Sequence, residues 1–202
     1  THPSAYTKAA IGWLAPSAIA QHPGGTVQYN LHAVGLVQPP PSGRVTAVRI
    51  GAQVPYLMVE ARQRVDEFDN LLPGEGVIVY RVQTTDPLGH AQGNAAPVEL
   101  LTPSALTLQQ TFTSDTGITV MVTGALPGAF SVSINDPTHV AVPNVVDLKT
   151  PVAVARIEAA GLVPVLNTHQ GSAFVFSQTP KGGATVTRGS TVNLVLHSGP
   201  SS

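Results

Sequence analysis

Val142-Pro143-Asn144-Val145-Val146-Asp147-Leu148 opens the last third of the chain, and Ser177-Gln178-Thr179-Pro180 followed by Gly189-Ser190-Thr191-Val192 closes it. Between them, Thr150 offers a side-chain oxygen to cap a helix, Pro151 suits the first helical position, and Gly161 supplies the left-handed residue that ends it. Ala153, Ile157 and Ala160 recur at i, i+4 and i+7, an apolar stripe, while Arg156 and Glu158 project elsewhere. Such a stripe needs a sheet to lie on. Val163 to Asn167, Ala173 to Gln178 and Thr191 to Leu196 read as its strands, the last with Val192, Leu194 and Leu196 on one face. Lys181-Gly182-Gly183 and Arg188-Gly189-Ser190 read as turns. The segment predicts one helix on a three-stranded sheet.

Over residues 142–199 this layout resembles a PASTA domain, a small extracellular module of bacterial penicillin-binding proteins and receptor-type Ser/Thr kinases. The likeness extends through Ala153, Gly161-Leu162 and Val186, and departs at Asp147, where such modules usually carry Gly. It implies an extracellular or cell-wall location and, as partner, peptidoglycan or an anionic wall polymer. The module is also the basic end of the chain: Lys149, Arg156, Lys181 and Arg188 stand against only Asp147 and Glu158. Lys181 and Arg188 are the candidate ligand-binding residues, although for any one of these four cations an ordinary solvated surface is the favoured reading.

The whole chain sets wider bounds. Of 202 residues only 10% are charged and 5% aromatic, with 19 Gly and 18 Pro, which suits short strands and sharp turns and predicts a mainly β protein. Ten basic against eleven acidic residues provide no counterion-release drive toward nucleic acid. Cysteine is absent, so disulfides, thiolate metal sites and a cysteine nucleophile are excluded. No apolar run approaches the roughly 20 residues of a membrane helix, and no signal-peptide pattern stands at Thr1. A membrane is not expected as partner, a monomer is expected, and the chain reads as a fragment of a longer exported protein.

Residues 1–138 read as a β-rich, sandwich-like domain joined through a linker ending near Ala141 to the second domain at 142–199. Lys8 to Leu14 is the one helical stretch. Thr26 to Leu36, Arg44 to Ile50, Tyr56 to Arg62, Val77 to Val82, Ala105 to Phe112, Ile118 to Val122 and Ala129 to Ile134 are the strands. Glu60 and Arg62, two apart on a strand, share a face and can pair. Asp66-Glu67-Phe68-Asp69-Asn70 clusters oxygen atoms as a calcium loop does, but lacks the spacing and glycine of an EF-hand and reads better as a charged turn. The seven histidines, His2, His22, His32, His90, His139, His169 and His197, are scattered, and no H-E-x-x-H motif is present. The chain is therefore expected to offer no catalytic residue, metal ligand set or cofactor site, the alternative being ligands that converge from distant strands.

Pro3-Ser4-Ala5-Tyr6-Thr7-Lys8 with Gly12-Trp13-Leu14, then Glu60-Ala61-Arg62-Gln63, Phe68-Asp69 and Leu72-Pro73-Gly74-Glu75-Gly76-Val77-Ile78-Val79-Tyr80, resemble in order a segment of secreted metalloproteases similar to immune inhibitor A. The resemblance implies the end of such a protease domain running into a β region, with zinc belonging to the parent protein. Beside a purely structural or adhesive surface protein in which the protease resemblance is vestigial, two functions follow as expectations. One is a non-catalytic accessory region with a wall-binding module; the other is the supporting part of an active zinc metallopeptidase whose catalytic helix lies upstream.

Overall fold

The computed structural model describes residues 3–36, 39–84, 97–167 and 174–197. The chain divides into two compact units, Thr1–His22 with Thr26–Asp136, and Pro23–Gly25 with Pro137–Ser202.

In the first unit the strands are β1 (Ile19–Gln21), β2 (Gly25–His32), β3 (Ala47–Ile50), β4 (Tyr56–Arg62), β5 (Gly76–Val82), β6 (Val98–Leu100), β7 (Thr111–Thr113), β8 (Thr119–Leu126) and β9 (Ala129–Asp136). They form a five-stranded sheet, β1-β3-β4-β5-β6, and a four-stranded sheet, β2-β9-β8-β7. Alternation decides the packing. Leu57, Val59 and Ala61 of β4 point to one side, where with Val48, Ile50, Val77 and Val79 they meet Leu31, Val120, Val122, Phe130, Val132 and Ile134 of the other sheet. This is a β-sandwich core. Met58, Glu60 and Arg62 of β4 point the other way, so both faces of the larger sheet are covered and nearly all of β4 is buried.

The second face is covered by the N-terminal segment, whose helix α1 (Ala5–Ala10) starts earlier than the Lys8 to Leu14 expectation. Ser4 caps it by accepting the Thr7 N–H at 3.2 Å, and Gly12, at φ 79, turns the chain back so that the Trp13 and Leu14 amides reach the Lys8 carbonyl. Ala5, Leu14 and Ala18 then pack on Ala47, Met58, Tyr80 and Val82. Other boundaries also move. The second strand ends at His32, since the Ala33 and Val34 amides turn to the carbonyls of Gly128 and Ala61. Ala105 to Phe112 is mostly irregular, with pairing only at Leu106 and from Thr111.

The second unit holds β10 (His139–Ala141), helix α2 (Thr150–Ala159), β11 (Val163–Asn167), β12 (Phe174–Thr179), β13 (Thr185–Thr187) and β14 (Thr191–His197). Its three-stranded sheet has the order β11-β14-β12, with β14 parallel to β11 and antiparallel to β12. Ala153 and Ile157 of α2 pack on Val175, Val192, Leu194 and Leu196. The stretch expected as linker is partly structural, since His139–Ala141 pairs with Thr185–Thr187 as a two-stranded ribbon. The helix start is a second correction: Lys149 occupies the cap position without a side-chain bond, and the Thr150 hydroxyl lies inside the first turn, buried and without a hydrogen-bond partner. The helix end follows expectation. Gly161, at φ 74, donates to the Glu158 carbonyl and Leu162 to the Ile157 carbonyl, the paired bonds of a Schellman motif.

Two devices close this unit. Buried Gln178 accepts the Val145 N–H at 2.7 Å and donates to the carbonyls of Pro143 at 3.0 Å and Pro180 at 3.1 Å, tying the opening segment to the end of β12. Asp147 sits at φ 63, while its amide donates to the Val175 carbonyl at 2.9 Å. The glycine expected there fits a left-handed backbone without strain, and Asp is among the few residues that tolerate it. We therefore expect Asp147→Gly to leave stability unchanged or raise it by about 0.5 kcal/mol, and Asp147→Val to lower it by about 1–2 kcal/mol, measured as shifts of the urea midpoint. Equal stability of the two variants would remove the left-handed constraint as the reason for the family preference.

Candidate functional site

The motif residues of the first unit meet under α1. Glu60, fully buried, accepts the Ala5 N–H at 2.7 Å and the Tyr80 hydroxyl at 2.8 Å on one oxygen, and Arg62 Nε at 2.9 Å on the other. The Tyr80 hydroxyl in turn accepts the Tyr6 N–H at 3.2 Å. Arg62 also lies 3.9 Å from buried Asp69, and Lys8 donates to the Val34 carbonyl at 2.7 Å. Two cations and two carboxylates thus share a water-poor layer between helix and sheet. The Glu60–Arg62 pairing follows the two-residue strand spacing; the arrival of Lys8, Asp69 and Tyr80 depends on tertiary packing.

Burial pushes the Tyr80 phenol well above its ordinary value, and the Glu60 charge and hydrogen bond push it further. Burial holds the Lys8 ammonium below the usual lysine range, Arg62 adding to the effect and Asp69 and Glu60 opposing it. Tyr80 is locked as a proton donor to Glu60. Every one of these groups is engaged with protein atoms, so the arrangement fastens α1 to the sheet and presents no nucleophile or base to a substrate.

The acidic turn is likewise used internally. Asp66 accepts the amides of Phe68 at 2.9 Å and Asp69 at 3.2 Å, and Asp69 faces Arg62. The histidines stand apart: His22 Nδ1 lies 3.0 Å from the Tyr29 hydroxyl, His139 Nδ1 lies 2.9 Å from Thr138 Oγ1, and the His197 ring contacts those of Phe174 and Phe176. His2, His90 and His169 lie outside the described residues. Among the described residues no three His, Asp or Glu side chains are grouped to hold a metal ion. Among the described residues the donor set does not fit the zinc of a metallopeptidase.

One groove escaped the sequence reading. On the α1 side of the larger sheet, a hollow of about 570 Å³ is walled by Ala9, Leu14, Ile19 and Met58. Arg49 stands on its rim with its guanidinium 3.9 Å above the Tyr56 ring and bonded to the carbonyls of Gly51 at 3.1 Å and Ala52 at 2.7 Å. Burial raises the Tyr56 pKa, with Arg49 opposing. No motif marks this hollow, because its walls come from separate segments.

In the second unit Lys181 and Arg188 are not brought together. Lys181 lies on the exposed turn before β13 and Arg188 on the turn after it. The Arg188 side chain crosses Gly161 so closely that a Cβ there would collide with it, and its Nε points to the Pro137 carbonyl at 3.4 Å. A cation at this helix C-terminus complements the dipole. Arg188 thus has a structural task, and Lys181 is the more available of the two.

With this geometry in place, comparison with known proteins gives one match. Residues 140–198 match the family model of the PASTA domain. No curated protein and no solved structure matches the chain, so the metalloprotease resemblance gains no support from comparison.

The buried network makes a double prediction. Glu60→Gln leaves Arg62 without its nearest counter-charge and is expected to cost about 3 kcal/mol in denaturant unfolding. Above about pH 10 the unfolded chain releases phenolic protons that folded Tyr80 retains, so stability falls as pH rises toward the folded pKa. Tyr80→Phe removes that share, and the loss between about pH 9 and about pH 11 should be shallower than in the parent chain. An unchanged slope would mean that Tyr80 is not held protonated by burial.

Proposed function

We propose that this chain is a non-catalytic accessory region of an extracellular bacterial protein, and that its C-terminal unit attaches it to cell-wall peptidoglycan. The match of residues 140–198 to the PASTA domain carries this reading, since modules of that family are associated with peptidoglycan-related ligands. The first unit supports it. Its charged motif residues are consumed in holding α1 to the sheet, which is the work of a scaffold.

Lys181, on its exposed turn, is the side chain we assign to anionic groups of the wall polymer, with Arg188 contributing charge from the helix end. We further propose that the parent is metalloprotease-like. The support is the ordered run of Lys8, Glu60, Arg62, Asp69 and Tyr80 motifs, together with their convergence on one buried network. In that setting the first unit would brace a neighbouring catalytic domain that supplies its own metal ligands.

The full chain is expected to sediment with insoluble peptidoglycan. Lys181→Glu should weaken retention about two- to fivefold at low salt and leave it unchanged at high salt, as a single exposed charge does. A chain that stays in the supernatant with and without the polymer would end the wall-binding reading.

A further inference from the structure

Among the described residues nothing covers one face of the second unit's sheet, and its composition is unusual for a solvated surface. Strand periodicity sends Val192, Leu194 and Leu196 of β14 toward α2 and turns Asn193, Val195 and His197 outward. Register places Val165 and Thr179 beside Asn193, and Asn167 and Ser177 beside Val195. Simple alternation along β12 would put Val175 and Gln178 on opposite faces. A register shift between Val175 and Ser177 allows both to point inward and leaves Phe176 outside, 65% exposed. Its ring stands edge-on to His197 with centroids 5.9 Å apart, and Phe174 flanks His197 at 6.2 Å.

Among the described residues of this face none is Asp, Glu, Lys or Arg. The charged residues of the unit, from Asp147 and Lys149 through Arg156 and Glu158 to Lys181 and Arg188, lie on the helix, its flanks and the turns. An anionic or zwitterionic ligand would lose hydration here without gaining a counter-charge. An uncharged sugar chain has no formal charge to desolvate. Its pyranose C–H faces suit exposed rings, and side-chain amides suit its hydroxyl and acetamido groups.

We propose that this outer sheet face, centred on Phe174, Phe176 and His197 with Asn167 and Asn193 beside them, binds an uncharged glycan strand by ring stacking and amide hydrogen bonds. The inference rests on the wall-binding reading of this unit and names the part of the polymer it holds, the sugar backbone rather than the charged peptides. Lys181, on a turn outside this face, is left to the anionic groups.

The test is a titration of the full ¹⁵N-labelled chain with a neutral oligosaccharide of β-linked N-acetylglucosamine. Amide shifts should concentrate at Phe174, Phe176, Asn193 and His197 and be insensitive to salt, and Phe176→Ala should weaken binding about tenfold or more while leaving the thermal midpoint in place. No shifts, or shifts confined to the Lys181 turn, would overturn the proposal. So would concentration-dependent self-association abolished by Phe176→Asp, which would assign the face to a second copy of the chain. Sedimentation with peptidoglycan but no response to the oligosaccharide removes this surface and spares wall binding. Oligosaccharide binding without sedimentation removes wall binding and spares the surface.

Discussion

The Gln178 side chain organises the C-terminal unit because a buried amide must find partners for both its donor and its acceptor. It finds them on Val145, Pro143 and Pro180, two segments more than thirty residues apart in the chain. For Gln178 to point inward three residues after inward-facing Val175, β12 must break its alternation. That break turns Phe176 to the solvent side. Asp147, in its left-handed conformation, directs the chain from the clamped Val145 into α2 while its amide pairs with Val175. One side chain thus links the closure of the unit, the entry to its helix and the composition of its open face.

The same constraint acts in the first unit through Glu60. Helix α1 has six residues, too few to persist alone, and it is held because its first amide and the Tyr80 hydroxyl share one Glu60 oxygen. Arg62 neutralises that carboxylate in a layer where an unpaired charge would be costly. The charged motifs of residues 1–80 are therefore architectural, and the opposite face of β4 and β5 meets the smaller sheet in the sandwich core.

Much of this was legible in the residues themselves. The C-terminal helix, its Gly161 stop and the strand β14 follow from periodicity and turn chemistry, and the Glu60–Arg62 pair follows from strand spacing. Asp147 stood out as a departure and proved to occupy the left-handed position that explains the usual glycine. The misses have physical causes. Helix α1 was placed too late because its cap is Ser4 and its stop is Gly12, signals outweighed by the apolar run beyond them. The strands β6 and β10, three residues each, owe their conformation to distant partners and carry little local pattern. Thr150 read as a cap although the chain enters the helix one residue earlier. The groove beside Arg49 and the aromatic face at Phe176 depend on packing and on a bulge, neither of which leaves a motif.

Amide hydrogen exchange at Val145, compared between the parent chain and Gln178→Ala, tests the clamp most directly. If Gln178 holds the unit closed, the Val145 N–H exchanges among the slowest in the C-terminal unit, and the substitution accelerates it by between about tenfold and a hundredfold. Rapid exchange of Val145 in the parent chain, or protection that survives the substitution, would contradict the account.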